Sequence, residues 1–264
     1  MAIIRIDHTP STTKVMQALN IIVPEPGRME GTPVRDRKVL YLLHGLSDDA
    51  TAWQRYTSIE TVALEYGLVV VMPSVGRSFY NDLPNGQKYF QYVAHELPQY
   101  LEDVFGLKPK RENTFLAGIS MGGYGAFKLA FAQPERFAAV ASLSGVVSLK
   151  FIEMYPNDPR FFEFAYMFGD LNKLSGGPHD PLVWYRKGAE DPSRLPRLFM
   201  SCGRQDDLYP VNVMVHNTFQ QLGIPVDYYE EDARHDWFFW DVQFRRFLTA
   251  VLGPMPVRVD EEEA

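Results

Sequence analysis

Residues 118 to 122 read Gly118-Ile119-Ser120-Met121-Gly122, a serine with a glycine two positions away on each side. A serine hydroxyl attacks a carbonyl only when a base takes its proton and donors hold the oxyanion that forms. The apolar run 114–119 (TFLAGI) ahead of Ser120 reads as a strand, and a helix is expected to begin near Gly122-Gly123-Tyr124. A sharp strand-to-helix turn of this kind lifts the hydroxyl above the edge of the sheet. Glycines on either side let the turn close, and the helix N-terminus behind it favours developing negative charge. The bland alternative is a Gly-rich turn that buries an ordinary serine. A legible strand before it and a legible helix after it favour the nucleophile.

A nucleophilic serine needs a histidine, and with such an elbow the chain order is Ser, acid, His. Three of the six histidines follow Ser120: His179, His216 and His235. His179 falls in an irregular stretch and His216 inside an amphipathic helix. His235 follows the last strand-like piece and opens the last helix, so it is the expected base, with capping of that helix as the competing role. The acid should fix the histidine tautomer and stabilise the imidazolium. Two adjacent carboxylates, Asp206 and Asp207, leave the strand 197–202 together. They point in different directions, so one is expected on His235 and the other at the cap of the next helix; periodicity does not choose between them. Two oxyanion donors are expected: the N–H of Met121, which follows the nucleophile, and the N–H of Leu46, in the His44-Gly45-Leu46 loop after an early strand. His44 itself is expected to position that loop.

These residues need a scaffold that brings strand ends together. Nearly continuous apolar runs occur at 38–43, 68–72, 114–119, 138–143 and 197–202, with a shorter one at 226–229. Runs that are apolar on both faces suit a parallel sheet covered on both sides. Residues 16–23 add a strand, antiparallel at the start of the sheet. Helices are expected at 89–104, 124–132, 211–222 and 237–251, with Pro98 kinking the first or delaying its start. Strands alternating with helices make a single α/β domain over 1–264, mostly parallel, with helices on both faces of the sheet. The stretch 148–196 breaks the alternation, carries many prolines and reads as a lid-like insert over the active site. Its first part holds Phe151, Tyr155, Phe161, Phe162, Phe164, Tyr166 and Phe168, against 14% aromatics for the chain. Phe161, Phe162 and Phe164, with Tyr80 from an earlier loop, are the candidate walls of a substrate pocket. Packing of the insert onto the body, or a subunit interface, would use the same rings. The acidic tail 255–264 is expected to be flexible.

Composition excludes several classes. Twenty-six Lys and Arg against 33 Asp and Glu leave a formal charge of −7, which disfavours nucleic acid or an anionic membrane surface as partner. The single cysteine, Cys202, rules out an internal disulfide framework and any multi-cysteine metal site. No run approaches 18 apolar residues and no signal-like N-terminus is visible, so the chain is expected to be soluble and cytoplasmic, with no membrane association.

With those residues in hand, the chain resembles α/β-hydrolases of the esterase D / S-formylglutathione hydrolase-like superfamily, nearest to tributyrin esterases and small feruloyl or acetyl esterases. The shared text is Leu42-Leu-His-Gly-Leu46 with Trp53, Val71-Met-Pro73, His95-Glu-Leu-Pro98, Ala117-Gly-Ile-Ser-Met-Gly-Gly-Tyr-Gly125 with Lys128-Leu-Ala130, Cys202-Gly203 with Asp206 and Leu208-Tyr209, and His235-Asp-Trp with Trp240. The resemblance implies the α/β-hydrolase fold and chooses Asp206 over Asp207. It implies a serine carboxylesterase acting on short acyl esters through an acyl-enzyme, with a small-molecule ester as partner and neither cofactor nor metal. A thioesterase of the S-formylglutathione hydrolase kind, or an acyltransferase using the same triad, is the alternative. Relatives often form dimers or tetramers, so self-association is an expectation of the same kind. S-formylglutathione hydrolases usually carry a Cys-containing N-terminal segment, whereas the single cysteine read here is Cys202, so glutathione thioesters are not the expected main substrate.

Overall fold

The computed structural model describes residues 1–25, 32–84, 86–154 and 158–255. The expected tail, apart from its first residue, and Tyr155 lie outside the described residues. Among the described residues eight strands form one sheet: β1 (Ala2–His8), β2 (Gln17–Val23), β3 (Val39–Leu43), β4 (Val69–Pro73), β5 (Thr114–Ile119), β6 (Ala139–Leu143), β7 (Arg197–Gly203) and β8 (Val226–Glu231). Their order is β1-β2-β4-β3-β5-β6-β7-β8. β2 runs antiparallel to both β1 and β4, and every pair from β4 to β8 is parallel.

Residues of β3 to β6 are buried along their whole length, which is why those strands read as continuous apolar runs. Alternate side chains still go to opposite sides. Val39, Tyr41 and Leu43 join one core, and Leu40 and Leu42 join the other. The second core is closed by α1 (Ala52–Tyr56), α2 (Ile59–Tyr66) and α10 (Trp237–Leu252). The first is closed by α3 (Tyr89–Gln91), α4 (Leu97–Phe105), α5 (Met121–Ala132), the insert helices α6 (Lys150–Met154), α7 (Phe161–Phe168) and α8 (Pro181–Gly188), and α9 (Tyr209–Leu222). The arrangement is the α/β-hydrolase fold, and among the described residues no helix is long and apolar enough to cross a membrane.

Two local departures have physical causes. Pro98 falls in the first turn of α4, the place in a helix where a missing N–H costs least. A π-helical stretch at Tyr92–Glu96 leads directly into α4. The carbonyls of Val93 and Ala94, which face the missing N–H of Pro98, accept instead from Arg136 Nη1 at 3.5 and 2.9 Å. The strand β1 was not expected. From Ile3 on its side chains alternate between solvent and the core side, where Ile4 and Ile6 pack, and none is fully buried at this edge of the sheet.

The insert between β6 and β7 is helical rather than irregular. Asp180 caps α8 by accepting from the Leu182 N–H at 3.0 Å, with Pro181 at the first helical position. Tyr185 fastens α8 inward by donating its hydroxyl to the Val147 carbonyl at 2.8 Å. α7 carries Glu163 in an ion pair with Arg77 of the loop after β4, and its Phe164 packs edge-on to Phe151 and Phe79.

Candidate active site

Ser120 stands between the last residue of β5 and the first of α5, with φ 51° and ψ −116°. A left-handed φ is uncommon for a residue with a Cβ and costs of order 1–3 kcal/mol. The surroundings impose it. The Ser120 N–H donates to the Leu143 carbonyl at 3.0 Å, and the Ser120 carbonyl accepts from Val146 N–H at 3.1 Å. The flanking glycines are needed because the turn is packed tightly against β3. A Cβ on Gly118 would lie 2.1 Å from the Gly122 carbonyl oxygen, and one on Gly122 would lie 2.3 Å from the Leu43 carbonyl oxygen.

His235 and Asp206 are brought together from the loops after β8 and β7. His235 Nδ1 lies 2.7 Å from Asp206 Oδ2, and Asp206 Oδ1 accepts from the Leu208 N–H at 2.8 Å. Burial of the Asp206 carboxyl would raise its pKa. The hydrogen bond and charge of His235 and the Leu208 N–H outweigh that and hold it below the usual carboxylate value. Ser144 Oγ, near but outside hydrogen-bond geometry, helps in the same direction. An ionised Asp206 takes the Nδ1–H of His235 and leaves Nε2 as the basic nitrogen. Capping of α10 falls to Asp236, which accepts from the Phe239 N–H at 3.1 Å, so His235 is not committed to that role.

Asp207 is exposed, and the hydrogen bond and ion pair to His235 come from Asp206 instead. It does not cap α9 either: Leu208 precedes that helix with no side-chain cap. His216 stacks on Tyr228 at 4.2 Å, and His179 packs against Phe168 at 5.8 Å. Burial, with the charge of Lys128, pushes the His179 pKa down to about 4. Neither lines the cavities at Ser120.

Leu46 and Met121 line the same cavity as Ser120 and His235. The Met121 N–H opens α5 and so has no partner four residues back. The orientation of the Leu46 N–H is set by His44. Val75 N–H donates to His44 Nε2 at 3.0 Å, and a backbone N–H can only donate. The proton of the imidazole is therefore on Nδ1, which donates to the Gly45 carbonyl at 2.7 Å. Burial lowers the His44 pKa and keeps the ring neutral. Asp48 N–H also donates to Gly45 O, at 3.2 Å. In a trans peptide the N–H points opposite to the C=O. Holding Gly45 O therefore turns the Leu46 N–H the other way, and among the described residues it has no acceptor.

Two hollows meet at Ser120, His235, Leu46 and Arg160. One, of about 210 Å³, is walled by Phe79, Met121, Val146, Phe151 and Leu208, with Asp206 and Asp207 at its side. The other, of about 500 Å³, is a more polar cleft with Ser47, Asp48, Arg77, Asp236, Trp237 and Trp240. The insert reaches the site through Phe151 and Arg160, and none of the four expected pocket residues lines either hollow. Tyr80 is buried to 1% exposure, with its hydroxyl on the His44 carbonyl. Phe164 is equally buried, because the inner face of α7 packs it between Phe79 and Phe151. Phe161 and Phe162 occupy the outer face, at 46% and 84% exposure. Val146 and Leu208, which sequence reasoning missed, follow the C-terminal ends of β6 and β7. That is where sheet-edge sites form, and this rule could have found them.

The family model for Esterase matches residues 14–250. An acetyl esterase of Caldicellulosiruptor saccharolyticus is 32% identical over 235 residues, covering 87% of this chain and 88% of that one. Among solved structures, the substrate-bound fluorophosphonate-binding serine hydrolase F of Staphylococcus aureus is 34% identical, with TM-score 0.87 over 96% of this chain and 99% of that one. An S-formylglutathione hydrolase from the same organism, as apoenzyme, is also 34% identical, with TM-score 0.84 over 95% and 98%. With this match across its length, the chain belongs to the esterase family of α/β-hydrolases and is a serine carboxylic ester hydrolase.

Proposed function

We propose that the enzyme hydrolyses short-chain acyl esters through an acyl-enzyme on Ser120. The reading rests on one observation: Ser120 shares its cavity with a histidine whose other nitrogen is held by a buried carboxylate. His235 Nε2 takes the hydroxyl proton as Ser120 Oγ attacks the ester carbonyl. The N–H groups of Leu46 and Met121 hold the tetrahedral oxyanion, and Asp206 stabilises the imidazolium. The intermediate collapses, the alkoxide leaves with the proton from His235, and the acyl group stays on Ser120. Water, deprotonated by His235, repeats the addition and releases the acid.

The hollow walled by Phe79, Val146, Phe151 and Leu208 is the apolar one, and we assign it to the acyl group. Its volume, about 210 Å³, is below the about 300–1,000 Å³ of sites for drug-sized ligands, which fits a short chain. The more polar cleft then takes the alcohol.

A panel of p-nitrophenyl esters from acetyl to octanoyl tests this assignment, and kcat/KM should peak at the short end. Phe151→Ala opens the wall and should raise the octanoyl-to-acetyl ratio about tenfold, the worth of a methylene or two in a pocket. Phe162→Ala, on the exposed side of α7, should leave the ratio unchanged. An unchanged ratio in Phe151→Ala removes that ring from the acyl site.

A second reading, hydrolysis of S-formylglutathione, is favoured by the solved neighbour of that name. The same chemistry serves a thioester. Rates on S-formylglutathione beside those on p-nitrophenyl acetate separate the two.

A further inference from the structure

We propose that Tyr80 is a positioning residue for the oxyanion loop, a role that rests on the acyl-transfer reading above. Phe79 and Tyr80 are consecutive aromatic residues with φ 52° and 51°. Bulky residues seldom adopt this conformation, and two in a row persist only where the surroundings dictate it. Here they do. The Tyr80 N–H donates to Ser78 Oγ at 3.1 Å, and the Asn81 N–H to the Ser78 carbonyl at 3.1 Å. From α5, Lys128 Nζ donates to the Tyr80 carbonyl at 3.3 Å and to Asn81 Oδ1. The ring lies so close to α5 that a Cβ on Gly125 would fall 2.5 Å from it.

A ring fixed in this way has one place for its hydroxyl, and it donates to the His44 carbonyl at 3.0 Å. Burial raises the phenol pKa well above its ordinary value, so the group is always a donor. It completes a pattern along the loop. Four successive carbonyls each accept from a side chain: Leu43 from Trp53 Nε1 at 3.2 Å, His44 from Tyr80, Gly45 from His44 Nδ1 at 2.7 Å and Leu46 from Arg77 Nη1 at 3.4 Å. With each carbonyl held, no peptide of the loop can flip, and the Leu46 N–H stays aimed away from the Gly45 carbonyl. The same strained turn places Phe79 in the wall of the smaller hollow, so one device sets the acyl site and the oxyanion loop together.

Tyr80→Phe keeps the ring and removes only the donor. Deleting an oxyanion donor outright costs about 10²–10³ in kcat, so misaiming one of two should cost roughly tenfold to a hundredfold. KM for p-nitrophenyl acetate should change by less than about twofold, since the interaction is made in the transition state. The Ki of a trifluoromethyl ketone, whose adduct on Ser120 carries the oxyanion, should rise in proportion to the fall in kcat/KM. Should Tyr80→Phe not fold, Lys128→Met loosens the same turn with the hydroxyl retained and should shift kcat and Ki in the same direction by less. A variant with lowered Tm but kcat and Ki within about twofold of wild type overturns the brace and leaves Tyr80 a packing residue. Ser120→Ala in the same assay separates the two readings. Turnover retained there overturns the acyl-transfer reading and the brace with it, whereas turnover lost there but kept in Tyr80→Phe overturns the brace alone.

Discussion

Ser120→Ala should lower kcat on p-nitrophenyl acetate by roughly 10⁴–10⁶, the range spanned when single members of a catalytic triad are removed from a serine hydrolase, the nucleophile lying at its upper end. The protein should remain folded. Ser120 lines the cavity, and the hydrogen bonds that hold the elbow come from its backbone. Alanine keeps the Cβ, so the cost of φ 51° is the same in both proteins. Steady-state kinetics beside a thermal melt separate the effects: a collapse of kcat with an unchanged Tm is expected. Turnover near wild type would remove Ser120 from the chemistry.

Asp206→Asn should cost about 10⁴ in kcat, the loss known when the triad acid becomes an amide and the histidine is left in the wrong tautomer. The amide oxygen can still accept from the Leu208 N–H, so the start of α9 should hold. Asp207→Asn makes a sharp control because the two carboxylates are adjacent in sequence. Asp207 is exposed and lies at the side of the smaller hollow with no hydrogen bond to His235, so its loss should leave kcat within a few-fold. Measured side by side, the opposite ranking would show that the structure pairs His235 with the wrong carboxylate.

The parts of this site that were legible in the sequence are those that a backbone dictates. The strands β3 to β7 are buried on both faces and so appear as apolar runs between breaks. The glycines around Ser120 are visible because only glycine fits where a Cβ would strike a carbonyl. His235 was legible by its place after the last strand. The choice of Asp206 over Asp207 was not, since neighbouring loop residues differ only in direction; it took the resemblance, and then the 2.7 Å contact to His235. The pocket was misread for a related reason. Aromatic residues crowd 161–168, but composition does not say that Phe164 faces inward while Phe162 faces solvent. β1 was missed because an edge strand with Arg5 and Asp7 in it looks like a polar terminus.

The central claim, that Ser120 carries the acyl group between two half-reactions, is tested most directly by trapping it. The enzyme is mixed with p-nitrophenyl butyrate, quenched in acid within the first turnover, digested and read by mass spectrometry. The expected result is one butyryl group on the peptide that contains Ser120, absent from Ser120→Ala and lost on incubation in water before the quench. A butyryl group on any other residue with the same rise and decay, or rapid turnover with Ser120 never acylated, would contradict the account.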